Sequence, residues 1–275
     1  MPIYTYLHQH KLMSTIAPVF EQSSHFCRVL LAESYTEFLK CLRTPAFASA
    51  ILGFPVIVYL FCGLVIDWGE TIERSHQFWI IATSSIGAIG TGMFGFGVYV
   101  ANERGQGWLL LKRVSPMPII VYFLAKALMA VAFSILISCI ILAIGHAFVS
   151  LQLSLVQSAL LVVVVSLSTI PYCMIGLLCG FMTGPNTAHA VVNVLYLPLL
   201  LLGGIIIPFD VLPKFVQSIA LFTPVFHSSQ LAFKLIDTSL GYPILLHLLV
   251  LSAYSVVCVS LAGFFYSREK ARTFG

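Results

Sequence analysis

Few side chains in this sequence are spaced for chemistry. His146, His189 and His247 fall in or at the ends of apolar runs, and no two stand on one helix at metal-ligand spacing. They read as hydrogen-bonded structural residues. The seven cysteines form no C-x-x-C pair and no Cys/His zinc spacing. They read as small hydrophobes of helix packing. No nucleophile–histidine–acid arrangement suggests a membrane enzyme. G-x-x-x-x-G-K-[ST] is absent, so no nucleotide site and no cofactor are expected in the chain itself. Gly90-Thr91-Gly92-Met93-Phe94-Gly95 matches G-x-G-x-x-G, but a dinucleotide fingerprint needs a strand before it and a helix after it. This one lies inside an apolar run. There Ser84, Ala88 and Gly92, spaced by four, suit close helix–helix approach in lipid.

Two charged features remain. Glu103 and Arg104 adjoin between apolar runs, where they could pair with a partner's charges or end a solvated loop. Lys126 lies inside an apolar run, about 12 Å from its start at the helical rise. Its ammonium is expected to snorkel to the headgroups, with a place on a substrate path as the other reading. No Asp or Glu falls inside the runs, which disfavours an ion-driven antiporter.

The elements that must carry these residues follow from composition. The 275 residues are 59% hydrophobic and 9% charged, with a mean hydropathy of +1.00. Soluble domains carry about 25% charged residues. This excludes a soluble enzyme, a nucleic-acid module and a disordered regulator. The expected fold is an all-α polytopic membrane protein. A span needs about 20 apolar residues, and six runs qualify: about 45–66, 78–100, 118–145, 155–182, 188–207 and 244–266. Pro55, Pro171 and Pro198 predict kinks in three of them. Residues 1–44 form a cytoplasmic segment with no secretory leader, residues 45–275 the transmembrane domain, and 267–275 a short tail.

Basic residues set the orientation. Lys11, Arg28, Lys40, Arg43, Arg104, Lys112, Arg113, Arg268, Lys270 and Arg272 fall on one side; Arg74, Lys214 and Lys234 fall on the other. Both termini are therefore expected in the cytoplasm of a bacterial cell, with the spans in its inner membrane.

Two stretches are neither spans nor ordinary loops. In residues 26–43, Leu31, Tyr35, Phe38, Leu39 and Leu42 share one helical face and Glu33, Thr36, Glu37 and Lys40 the other. This predicts an amphipathic helix in the cytoplasmic interface. Residues 208–233 are apolar but punctuated by Pro208, Pro213 and Pro224. The pieces are too short to cross, and they predict an outer re-entrant hairpin between spans five and six.

In this order the motifs become familiar. Leu39-Lys40-Cys41-Leu42-Arg43-Thr44-Pro45 leads into span one. Glu103-Arg104-Gly105-Gln106-Gly107-Trp108 follows span two, and Leu110-Leu111-Lys112-Arg113-Val114-Ser115-Pro116-Met117-Pro118 leads into span three. Lys126 opens span three, and Leu202-Gly203-Gly204-Ile205-Ile206-Ile207-Pro208-Phe209 closes span five. The chain resembles the permease subunits of type-2 ATP-binding-cassette exporters. It departs from them at Gly105-Gln106, where the family usually has a second acid.

The resemblance implies a half-transporter, paired with itself or a related permease. It implies two copies of a separate ATPase, which binds the ATP, docked below. Glu103, Arg104, Gly105, Gln106, Lys112 and Arg113 would belong to the ATPase-coupling element. Glu33, Glu37, Lys40 and Arg43 of the interface helix would complete it. The cargo would be hydrophobic or amphipathic: a drug, a lipid-linked molecule or a polysaccharide. Membrane lipid is a partner; nucleic acid is not. The competing readings are an integral-membrane lipid-modifying enzyme and a channel or scaffold.

Overall fold

The protein is described from a computed structural model. The described residues are 26–66, 72–115, 117–149, 151 and 153–274, without the side chains of 72–75, 113 and 269–274. Lys11 and the leader expectation lie outside them, as do the side chains of Arg74, Arg113, Lys270 and Arg272.

Helix α1 covers residues 26–42. Thr44 is extended and Pro45 opens the next helix, as suits a ring with φ already helical and no amide to lose. Among the described residues six helices are long and apolar enough to cross a membrane: α2 Pro45–Val65, α3 His76–Gly105, α5 Ile119–Phe148, α6 Leu155–Met182, α7 Pro185–Leu202 and α10 Ile244–Arg268. The short α4, Trp108–Val114, joins α3 to α5. The fold is thus an all-α polytopic membrane protein.

Helix α3 is the centre of the bundle: 94% of its apolar window is buried, against 17% for α2 and α10. Small residues let its neighbour approach. A Cβ on Gly97 would stand 2.4 Å from the Gly176 carbonyl oxygen of α6, and one on Gly92 would stand 2.6 Å from the Tyr172 Cβ. The glycine-rich run Thr91–Val98 is wound as π-helix, a local widening of the helical turn. The G-x-G-x-x-G match is therefore a packing surface.

Two boundaries differ most from expectation, by five residues each. Helix α3 continues past residue 100 to Gly105, which puts Asn102, Glu103 and Arg104 on the spanning helix. Helix α7 stops at Leu202, short of 207, because Gly203 and Gly204 turn the chain, Gly204 with φ +66°. Helix α6 is interrupted at Ser168, and Pro171 supplies no amide to the Leu167 carbonyl.

Beyond α7, helix α8, Lys214–Ala220, and helix α9, Pro224–Phe233, are bent from each other by 91°. Thr223 caps α9, its hydroxyl accepting from the Phe226 amide at 3.3 Å. The Ser229 hydroxyl ties α9 to the end of α7 through the Gly203 carbonyl, at 2.6 Å.

Candidate functional site

The charged residues of four elements meet at one end of the spans. On α1, Glu33, Glu37 and Lys40 are spaced by four and three, so they share a face. That face turns into the bundle: Glu37 is buried while Leu31 and Tyr35 are 67% and 64% exposed. The helix is amphipathic as expected, but its acids face protein. Each finds a lysine of another element.

Lys126 of α5 is fully buried. Its ammonium donates to Glu37 Oε2 at 2.7 Å and stands 3.0 Å from Glu103 Oε2. It also lies 5.0 Å from the centre of the Tyr122 ring, a cation–π distance. The snorkelling expectation is corrected: the charge is neutralised inside the protein, so it needs no headgroup.

Glu103, at the end of α3, is the hub. It accepts from Lys40 and from the Tyr122 hydroxyl, and it pairs with Lys126. Tyr122 and Lys126, one turn apart on α5, both reach it. Lys40 also stands 3.7 Å from Glu37. The cluster of Lys40, Lys126, Glu37 and Glu103 balances two cations with two anions. Burial pushes the Lys40 ammonium down, but the hydrogen bond to Glu103 and the charges of Glu103 and Glu37 prevail and hold it above its ordinary value. Lys40 therefore stays charged. Burial pushes the neighbouring Cys41 thiol up to about 11, which leaves it inert.

A further bridge, Glu33 to Lys112, joins α1 to α4. Arg104 turns the other way. Its guanidinium donates to the Phe181 carbonyl at 2.6 Å and to the Thr183 carbonyl, closing the C-terminal end of α6 where carbonyls lack helical partners. A solvated loop end is therefore not what this pair forms.

The elbow after Arg104 has its own requirements. A Cβ on Gly105 would meet Pro185 Cγ at 2.5 Å, and Gly107 has φ +79°. An acid in place of Gly105 would collide with the start of α7. Gln106 is exposed, and its side chain accepts from the Trp108 indole at 3.2 Å. Beyond the elbow α4 shows an apolar stripe, with Trp108, Leu111 and Val114 at 54%, 60% and 77% exposure, recurring every three residues. Leu109 is buried and anchors the opposite face. Arg43 is exposed and makes no ion pair among the described residues.

The arrangement is two cations and two carboxylates closed on one another. Among the described residues no group of three or more His, Cys, Asp or Glu could hold a metal. What it can do is fasten α1, α4, α3 and α5 together.

A family model described as "ABC-2 type transporter" matches residues 28–235. The chain belongs to the ABC-2 type transporter family. The match includes α1, the charge cluster, α4 and the bent pair α8–α9. The chain is also 26% identical over 244 residues to the Bacillus subtilis (strain 168) protein named "Putative transport permease YvfS", across 88% of this chain and 99% of that relative. An ABC-2 permease is a transport subunit rather than an enzyme, and the family works with an ATPase subunit.

Sequence reasoning missed the partners of Lys126, and Tyr122 with them. A signal existed: a lone lysine in an apolar run implies a buried acid, and Glu37 stood on the polar face of the helix before the first span. It also missed His227, whose Nδ1 lies 2.8 Å from Nδ1 of His247, so that one ring donates to the other.

Next to the cluster, a cavity of about 780 Å³ lies among α2, α3 and α7. Its walls are mostly apolar, including Phe47, Phe54 and Phe94, with Asn102, His189, Asn193 and Tyr196 as polar groups.

Proposed function

We propose that this ABC-2 permease is the membrane half of an ATP-driven exporter for a hydrophobic or amphipathic cargo. The observation that carries the reading is the cluster Lys126–Glu37–Glu103–Lys40. It ties the interface helix and the approach to α4 to two spanning helices. A push on α4 would then move α3 and α5 as one body, because breaking a buried ion pair leaves an uncompensated charge.

The ATPase-facing surface is the stripe Trp108, Leu111 and Val114, with Gln106, Lys112 and Arg113 around it. Glu103, Arg104 and Gly105 brace it from within. Glu33, Glu37 and Lys40 brace it from α1, and Arg43 lies at the exposed rim. Two ATPase copies, each binding ATP, would dock beneath two permeases, either two copies of this chain or this chain with a relative. Lys126 belongs to the brace. The cargo path is assigned instead to the cavity among α2, α3 and α7, whose aromatic walls suit an apolar body and whose amides suit a polar end. The basic asymmetry supports α1, α4 and both termini in the cytoplasm of a bacterium, with the spans in its inner membrane and α8–α9 as a re-entrant hairpin on the outer side.

The test is reconstitution. The permease should co-purify with its ATPase subunit and raise ATP turnover in proteoliposomes, and Leu111→Glu should abolish both. A permease that binds no ATPase subunit would end the reading.

A further inference from the structure

A separate cavity of about 610 Å³ lies between α6, α10 and the end of α9. None of the helices that line the proposed cargo path contributes to it. On α10 its wall is the face carrying Ile244, Leu248, Ser252 and Val256, which recur every four residues. From Ile244 to Val256 this face runs about 18 Å, or about one leaflet of a hydrocarbon core about 30 Å thick. The opposite wall is α6 on both sides of its interruption at Ser168. The lining is nearly all apolar. The Ser168 and Ser255 hydroxyls donate back to the Val164 and Leu251 carbonyls, at 2.7 and 2.9 Å, so neither proton is offered to the cavity. Leu167 and Val256 are 57% and 62% exposed, so the groove opens sideways toward lipid.

Lys234 is the one charge among the lining residues. It directly follows α9 and is half-buried. The next residue is pinned to the start of α6, where Gln157 Nε2 donates to the Leu235 carbonyl at 3.1 Å. The cation therefore lies at the end of the groove where α6 and α10 begin. Among the described residues it has no carboxylate at ion-pair distance. An apolar slot one leaflet deep with an uncompensated cation at its membrane-surface end matches an acyl chain below a phosphate.

We propose that this groove holds one acyl chain of a phospholipid, its phosphate on Lys234. Under the orientation proposed above, the lipid belongs to the outer leaflet. Bound there, it would wedge the bent pair α8–α9 against α6 and α10.

The experiment uses the full-length permease purified in detergent. Native mass spectrometry and thermal unfolding are followed on titration with dioleoylphosphatidylglycerol, with dioleoylglycerol (the same tails without phosphate) and with glycerol phosphate (the headgroup without tails). The phospholipid is expected to bind and raise the unfolding midpoint. Dioleoylglycerol should bind about fivefold more weakly, the worth of one lysine beside an anionic headgroup, and glycerol phosphate should not bind. Lys234→Gln should weaken the phospholipid about fivefold without changing dioleoylglycerol. Ser252→Phe, an exposed position on the groove wall, should abolish retention of both lipids. Neither variant removes a buried contact, so both should elute as the unaltered protein does. Equal phospholipid binding by either variant, or equal binding of the two lipids by the unaltered protein, overturns the proposal.

Discussion

Lys126 and Glu37 stand 89 positions apart in the sequence and 2.7 Å apart in space. One belongs to a spanning helix and the other to the interface helix before the first span. Both are buried, so the pair is a fastening between two elements that could otherwise move independently. Glu103 and Lys40 extend it to the end of α3.

Lys126→Met should therefore be costly. It strands Glu37 without its closest cation and takes one of the two cations from Glu103. Removing one partner of a buried pair costs about 3–5 kcal/mol. The thermal midpoint and the yield of monodisperse protein should both fall. Lys126→Met with Glu37→Gln leaves the pair of Lys40 and Glu103 in balance and should recover most of the loss. A single variant as stable as the unaltered chain would show that the charge is not held as described.

Charge reversal at Glu103 and Arg104 separates fold from docking. Glu103→Lys would face Lys40 and Lys126, and Arg104→Glu would meet the Phe181 and Thr183 carbonyls. The double variant should assemble poorly. Leu111→Ala with Val114→Ala trims mainly exposed side chains, so it should leave stability within about 0.5 kcal/mol of the unaltered protein while weakening ATPase co-purification. Loss of stability in the surface variant, or its absence in the reversal, would contradict the assignment.

The layout of the membrane helices was legible because crossing lipid demands about 20 apolar residues in a row, and such runs are visible without partners. The charge cluster was not legible, because Glu103 and Lys40 are 63 positions apart and no local pattern joins them. The end of α3 was hidden for a related reason. Asn102, Glu103 and Arg104 look like a loop by polarity, but each charge is satisfied by another element, so the helix continues through them. The amphipathic character of α1 was readable. Which way its polar face turns was not, since that depends on lysines contributed by α4 and α5. Arg104 shows the same limit: it donates to the backbone carbonyls of Phe181 and Thr183, which carry no residue-type signal.

Gly97 tests the packing at the centre. A methyl group there would stand 2.4 Å from a backbone oxygen of Gly176, and neither helix has a flexible side chain to yield. Gly97→Ala should destabilise by about 1–3 kcal/mol, the usual cost of overpacking. Gly53→Ala, where nothing lies within 4 Å, is the control and should be neutral to slightly stabilising. Equal thermal midpoints for the two variants would show that α3 and α6 are not in close contact.

Orientation is open to labelling. On a cysteine-free background, Lys214→Cys should react with a membrane-impermeant maleimide in intact cells, and Gln106→Cys only after the membrane is opened. Both positions are exposed, so accessibility does not confound the comparison. Reaction at position 106 in intact cells would invert the topology.

The most direct test of the account is the bridge between Glu33 and Lys112, which joins the interface helix to the segment proposed to press on the ATPase. The measurement is ATP turnover by the ATPase subunit in proteoliposomes carrying the unaltered permease, Glu33→Lys, Lys112→Glu, or both changes together. Each single reversal sets like charges against each other and should lower the permease-stimulated rate. The double variant restores an opposite pair and should recover the rate. Full stimulation by both single variants, or no recovery in the double, would contradict the claim that α1 braces α4 where it presses on the ATPase.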